Sequence, residues 1–119
     1  MTDLNTDPKI ETFLSITKEK EEIKYQIIIA VRELLLQIFP HSEERFIYGG
    51  IGFFIDGKIF GGIYTNRQLV KIEFSNGWRM KDENTLLIGS GKFRRHLELN
   101  TVSEVVSKKA EYYIKQARD

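Results

Sequence analysis

The chain has 119 residues, 41% of them hydrophobic and 29% charged, with a formal net charge of +1 and no cysteine. That length suits one domain with a core of its own. The near-neutral balance works against nucleic-acid binding, which draws its affinity from neutralising phosphates. The lack of cysteine excludes disulfides, thiolate catalysis, iron–sulfur ligation and cysteine-based zinc sites.

Residues 1–7 are polar and acidic and read as a flexible lead with no apolar signal-peptide core. The longest apolar run, Ile27 to Val31, is far short of the roughly 20 residues that a membrane span requires. A single cytoplasmic domain over 1–119, with no membrane contact, is the expectation.

Asp7-Pro8 is a helix start, because Asp accepts from free amides and Pro at the first helical position sacrifices no hydrogen bond. Ile10, Phe13 and Leu14 share a face, which predicts a short helix from about Pro8 to Ile16. Thr17 or Ser15 is placed to cap a second helix from Lys18 to Phe39. Its stripe is Ile23, Ile27, Ala30, Val31, Leu34, Leu35 and Ile38, and Pro40 stops it. The mixed charges over Lys18–Lys24 fit a solvated helix face, since interleaved lysines repel a metal cation.

A short strand is expected at Arg45–Tyr48, followed by an antiparallel meander. Asp56-Gly57 between apolar runs is a two-residue hairpin turn, since both positions need positive φ. Simple pairing sets Ile55 against Lys58, Phe53 against Phe60, and Gly52 against Gly61. A second turn at Thr65–Gln68 sets Tyr64 against Leu69 and Ile63 against Val70. This register gives a core face of Phe54, Ile59, Ile63, Val70, Ile72 and Phe74. The other face clusters Phe53, Phe60 and Tyr64 and needs a cover, either the C-terminal segment or a second copy of the chain. Asp82–Asn84 suits a helical turn, and Leu86–Ile88 returns to the core. From Phe93 the residues alternate: Phe93, Arg95, Leu97 and Leu99 point one way, Arg94, His96 and Glu98 the other. Thr101 and Glu104 have capping-box spacing for one last helix, with a stripe of Val102, Val105, Val106, Ala110, Tyr113, Ile114 and Ala117. The fold class is α+β: two N-terminal helices, an antiparallel sheet of about four to five strands, and a C-terminal helix, with the helices packed on the sheet.

Chemistry concentrates at Gly89-Ser90-Gly91-Lys92-Phe93-Arg94-Arg95-His96. A Walker loop needs Ser or Thr after its lysine and a helix downstream; Phe93 and a strand stand there instead. The serines lie in no nucleophile-elbow context. The segment's glycine-turn amides and cations still suit a carboxylate or phosphate. Lys92, Arg94, Arg95 and His96, with Tyr48 and Trp78 as aromatic walls, are therefore the candidate ligand-binding residues for a small anionic or aromatic ligand.

The same segment carries a family resemblance. Its motifs run from Glu44-Arg45-Phe46-Ile47-Tyr48-Gly49 through Asp56-Gly57-Lys58 and Val70-Lys71-Ile72-Glu73-Phe74, then Leu86-Leu87-Ile88-Gly89-Ser90-Gly91-Lys92 and Arg95-His96. Over roughly residues 8–117 the chain resembles the YdhG-like family of small bacterial domains of unknown function. It departs from the family's usual proline-containing segment at Gly49-Gly50-Ile51-Gly52. The resemblance implies an antiparallel sheet backed by helices. One branch of the family is described as a frataxin-like intracellular iron chaperone, which implies non-enzymatic iron binding or delivery. Carboxylates and His suit iron(II), so Glu43, Glu44, Asp82, Glu83 and His96 are the candidate iron ligands. A structural or homodimer-forming domain is the third reading.

Overall fold

The computed structural model describes residues 7–118. Of the flexible lead expected over residues 1–7, residues 1–6 lie outside the described residues, while Asp7 is held in place at the start of α1. The element order is α1 (Pro8–Lys20), α2 (Glu22–Ile38), β1 (Glu43–Ile47), β2 (Gly50–Ile55), β3 (Lys58–Thr65), β4 (Val70–Phe74), β5 (Arg95–Leu99), α3 (Glu104–Ser107) and α4 (Ala110–Ile114), with a 3₁₀ turn at Gly77–Arg79. The strands form one five-stranded antiparallel meander in the order β1-β2-β3-β4-β5. The fold is α+β, with the helices packed against the sheet.

Asp7 caps α1 by accepting from the Lys9 amide at 2.9 Å. Its other carboxylate oxygen accepts from the Phe46 amide at 3.0 Å. One side chain thus starts a helix and occupies a backbone donor on the outer strand, where an open donor would invite another chain. These amide bonds hold the Asp7 carboxyl below its ordinary pKa.

The first helix runs past its expected end. Thr17 does not cap a new helix; its hydroxyl donates backward to the Phe13 carbonyl at 2.8 Å, and Thr17 is buried. The break falls at Glu21, whose φ of −146° leaves helical space, and α2 begins there with no side-chain cap. Lys24 ties α2 to the sheet. Its ammonium donates to the Asn66 and Arg67 carbonyls at 2.6 and 3.1 Å and pairs with Glu21 at 2.7 Å.

The sheet corrects the expected register at one residue. Ile55 faces Lys58 and Phe54 faces Ile59, but Phe53 then faces Gly61 and Ile51 faces Ile63. Phe60 is the extra residue of a bulge. A one-residue shift reverses the faces beyond it. Phe53 and Ile51 therefore enter the core, while Gly52 and Phe54 point to the opposite side, with Ile59 partly exposed. Phe60 reaches the core through the bulge, its ring 5.0 Å from Phe39 and 6.4 Å from Phe53. Between β3 and β4 the slip is two residues, with Thr65 on Val70 and Ile63 on Ile72. An even slip preserves faces, so Ile63, Val70, Ile72 and Phe74 are core residues as expected. Leu97 and Leu99 join them from β5.

The C-terminal segment is not one helix. Lys109 takes left-handed φ, 57°, and separates α3 from α4. The break turns Ala110, Tyr113 and Ile114 into the core and leaves Val106 81% exposed. The capping relation is half kept: the Glu104 carboxylate accepts from the Asn100 amide at 2.6 Å, while the Thr101 hydroxyl meets Ser103.

Candidate functional site

The buried apolar helical side chains join one cluster with Ile51, Phe53, Ile63, Val70, Ile72, Phe74, Leu97 and Leu99. Those residues occupy one side of the sheet. Among the described residues, no helix covers the other side. That face carries Arg45 and Ile47 on β1, Gly50, Gly52 and Phe54 on β2, Gly62 and Tyr64 on β3, Lys71 and Glu73 on β4, and His96 and Glu98 on β5.

Tyr64 is the floor of this face. A Cβ on Gly62 would stand 2.5 Å from Tyr64 Cε2, and one on Gly50 would stand 2.6 Å from Tyr64 Cδ1. The ring therefore lies flat on two glycines from neighbouring strands, which no other residue type would allow. Burial raises the Tyr64 pKa, and the nearby Glu73 and Tyr48 push the same way, while Arg94 opposes them. The phenol is thus neutral at ordinary pH, with the Glu73 carboxylate and the Arg94 guanidinium acting on it from nearby.

Tyr48 stands at the edge of the face for a backbone reason. Ile47 pairs with Gly50, so Tyr48-Gly49 is a two-residue turn, with φ of 55° and 77°. Positive φ at both positions is the geometry of a tight hairpin. Tyr48 was expected to end a strand; it is instead the turn residue, and its side chain is 76% exposed. A non-glycine residue in this region is strained.

The charges on the face come as loose pairs. Arg94 reaches Glu73 at 3.9 Å with its side chain 69% exposed. His96 Nε2 lies 3.0 Å from Glu98. Arg45 lies 4.5 Å from the Phe54 ring centre and covers it. Lys71 makes no ion pair among the described residues.

The six ligand-binding candidates separate into three places. Tyr48, Arg94 and His96 share the helix-free face with Tyr64. Lys92 and Trp78 lie at the adjoining loop, where Trp78 and Phe93 meet edge-on at 6.3 Å and Lys92 stands 5.4 Å over the Phe93 ring. The expected alternation from Phe93 starts only at Arg95, because residues 89–94 form the loop of a hairpin closed by Ile88 and His96. Arg95 points to the other side, and its guanidinium donates to the Gly91 and Arg94 carbonyls at 2.7 and 2.6 Å. It shapes the loop rather than facing a ligand. Tyr64 was missed as a site residue because the simple register placed it in an aromatic cluster with Phe53 and Phe60. The signal for it was the pair of glycines that its ring needs.

The iron candidates do not converge. Glu43 and Glu44 are consecutive on a strand and face opposite sides. Glu44 is buried and takes a bidentate grip from Arg32, at 2.6 and 2.7 Å. Asp82 accepts from the Tyr113 hydroxyl at 2.5 Å and from the Leu86 and Leu87 amides at 2.9 and 3.0 Å. Burial works to raise the Asp82 carboxyl, but these donors outweigh it and hold its pKa below the ordinary value. Glu83 lies beside Tyr112, beyond α2, and of the five only Glu43 and His96 stand on the helix-free face, on the opposite edge strands β1 and β5. Among the described residues, no three His, Asp or Glu side chains gather as a metal site.

No helix among the described residues is long and apolar enough to cross a membrane. Comparisons with family models, curated proteins and solved structures gave no match to the chain.

Proposed function

We propose that this protein is a binding module for a small aromatic anion, seated on the helix-free face of the sheet. One observation carries the reading: the Tyr64 ring is fixed flat on Gly50 and Gly62, with the exposed Arg94 guanidinium and the exposed Tyr48 ring beside it. A ring stacks on Tyr64 against Tyr48. Its carboxylate or phosphate takes the planar fork of Arg94, which matches either group with two hydrogen bonds. The 3.9 Å contact to Glu73 is too long to hold Arg94 strongly, so the cation is free to turn to a ligand. Lys92, with Trp78 and Phe93, extends the surface along the loop for a longer ligand.

A thermal-shift screen with benzoates, phenyl phosphate and nucleoside monophosphates tests this. A specific ligand raises the melting temperature by mass action, and Tyr64→Ala and Arg94→Ala remove the shift. A screen with no stabilising aromatic anion, or hits indifferent to both substitutions, overturns the proposal.

The YdhG-like resemblance supports a second reading, iron delivery. On this surface it has His96 and Glu98, 3.0 Å apart, as its starting pair. Anaerobic calorimetry with iron(II) distinguishes the two: heat that is lost in His96→Ala and kept in Tyr64→Ala favours iron. The absence of any heat removes that reading.

A further inference from the structure

The helix-free face is balanced in charge. Among the described residues it carries three cations, Arg45, Lys71 and Arg94, and three carboxylates, Glu43, Glu73 and Glu98. Arg45 lies 3.9 Å from Glu43 at the β1 edge. Glu98 lies 3.0 Å from His96 and opposite Lys71 in register. Arg94 and Glu73 are left to each other, at 3.9 Å.

The register fixes where Glu73 stands. Arg45, Gly52, Gly62, Glu73 and His96 face one another in a row across the sheet. The Tyr64 hydroxyl lies over Gly62, where a Cβ would stand 2.8 Å from its oxygen. Glu73 is the next residue along that row. After burial, its charge is the main influence that raises the Tyr64 pKa. The fold makes little use of this carboxylate: its side chain is 28% exposed and accepts no hydrogen bond among the described residues.

An anion held by Arg94 therefore shares one guanidinium with Glu73. A single negative charge is matched there by a single positive one. A second charge on the same ligand finds the neighbouring cations turned elsewhere. Lys71 lies in the next row, opposite Glu98, and Lys92 stands 5.4 Å over the Phe93 ring. The second charge meets the Glu73 carboxylate instead, and like charges at this range repel. A phosphate monoester carries about −1.5 to −2 at pH 7, a carboxylate only −1. We propose that Glu73 restricts the site to aromatic monoanions such as carboxylates and turns away phosphate monoesters. This rests on the aromatic-anion reading above and narrows it to the charge that the ligand carries.

The probes are benzoate, phenyl sulfate and phenyl phosphate, each titrated into the full chain at pH 8 by amide-resolved NMR. Phenyl sulfate has the tetrahedral shape of phenyl phosphate with one charge fewer, so the pair separates charge from shape. The two monoanions are expected to bind with dissociation constants of about 1 mM, fitting ligands of this size. Their shifts are expected at Tyr64, Glu73 and Arg94. Phenyl phosphate is expected to bind about fivefold more weakly than phenyl sulfate, the size of one charge repulsion near water. Glu73→Gln keeps the shape of the side chain and is expected to close that gap. Glu43→Gln, which removes the same charge at the β1 edge, is expected to leave it open. Phenyl phosphate binding as tightly as phenyl sulfate overturns the proposal, as does a gap that survives Glu73→Gln or closes in Glu43→Gln. In those cases binding that Tyr64→Ala abolishes leaves the aromatic-anion reading standing. No binding by any of the three, or binding indifferent to Tyr64→Ala, removes both.

Discussion

The two faces of the sheet are made from the same strands by opposite means. On the helix side, alternate residues are large, apolar and fully enclosed: Ile51, Phe53, Ile63, Ile72, Leu97. On the other side, the same strands carry glycines, a flat tyrosine and loosely paired charges. The covered face derives its stability from removing apolar area from water. The bare face relies on flatness: Gly50 and Gly62 lower the surface so that one ring fits, and solvent keeps Arg94 and Tyr48 available. Stability and binding capacity are thus divided by the pleat, one residue apart along each strand.

The sharpest break in that division comes at Arg32 and Glu44, a charged pair placed on the covered side. Arg32→Ala strands a buried carboxylate and is expected to cost about 3–5 kcal/mol in urea unfolding. Replacing both together, Arg32→Met with Glu44→Leu, is expected to restore most of it, because no buried charge then lacks a partner. Next come two neighbours on β5. Leu97→Ala should cost about 2–5 kcal/mol through its cavity, whereas His96→Ala, one residue away on the bare face, should stay within about 0.5 kcal/mol. Equal losses would show that the bare face is covered in solution, as the dimer reading requires.

Gly62→Ala probes the flatness directly. Its Cβ would stand 2.5 Å from Tyr64 Cε2, so the ring must leave its seat. The expected cost is about 1–3 kcal/mol of stability, from overpacking, with loss of any ligand that stacks on Tyr64. Gly91→Ala meets nothing within 4 Å and serves as the silent control.

The smallest effect is a pH dependence centred on Tyr113 and Asp82. Burial, followed by the bond to Asp82, pushes the Tyr113 pKa up to about 12. The unfolded chain ionises near the ordinary value of about 10. The folded state therefore holds its full advantage below about pH 10 and loses it as pH rises toward 12. The Asp82 carboxyl shifts downward, so its contribution is full above the ordinary carboxylate range and fades as pH falls through and below it. Tyr113→Phe is expected to flatten the alkaline arm of the urea-midpoint profile. An unchanged arm would mean that Tyr113 is not held by Asp82.

The sequence by itself determined the elements and the class. Asp7-Pro8, Pro40 and Asp56-Gly57 act within a few residues, through caps, missing amides and positive φ, and each stands where local chemistry puts it. The alternation that sends Leu97 and Leu99 inward and His96 outward is equally local. Tertiary structure alone decided which face of β2 is buried, because one bulge residue, Phe60, reverses the side without altering the pattern. It also decided that the C-terminal stripe breaks at Lys109, where left-handed φ separates the exposed Val106 from the buried Ala110 and Tyr113. The candidate site follows the same rule. Arg94 and His96 were legible as outward-facing cations, but Tyr64 and its glycine seat were not. Their meeting depends on which residues oppose one another across three strands, and a one-residue slip in register changes that completely.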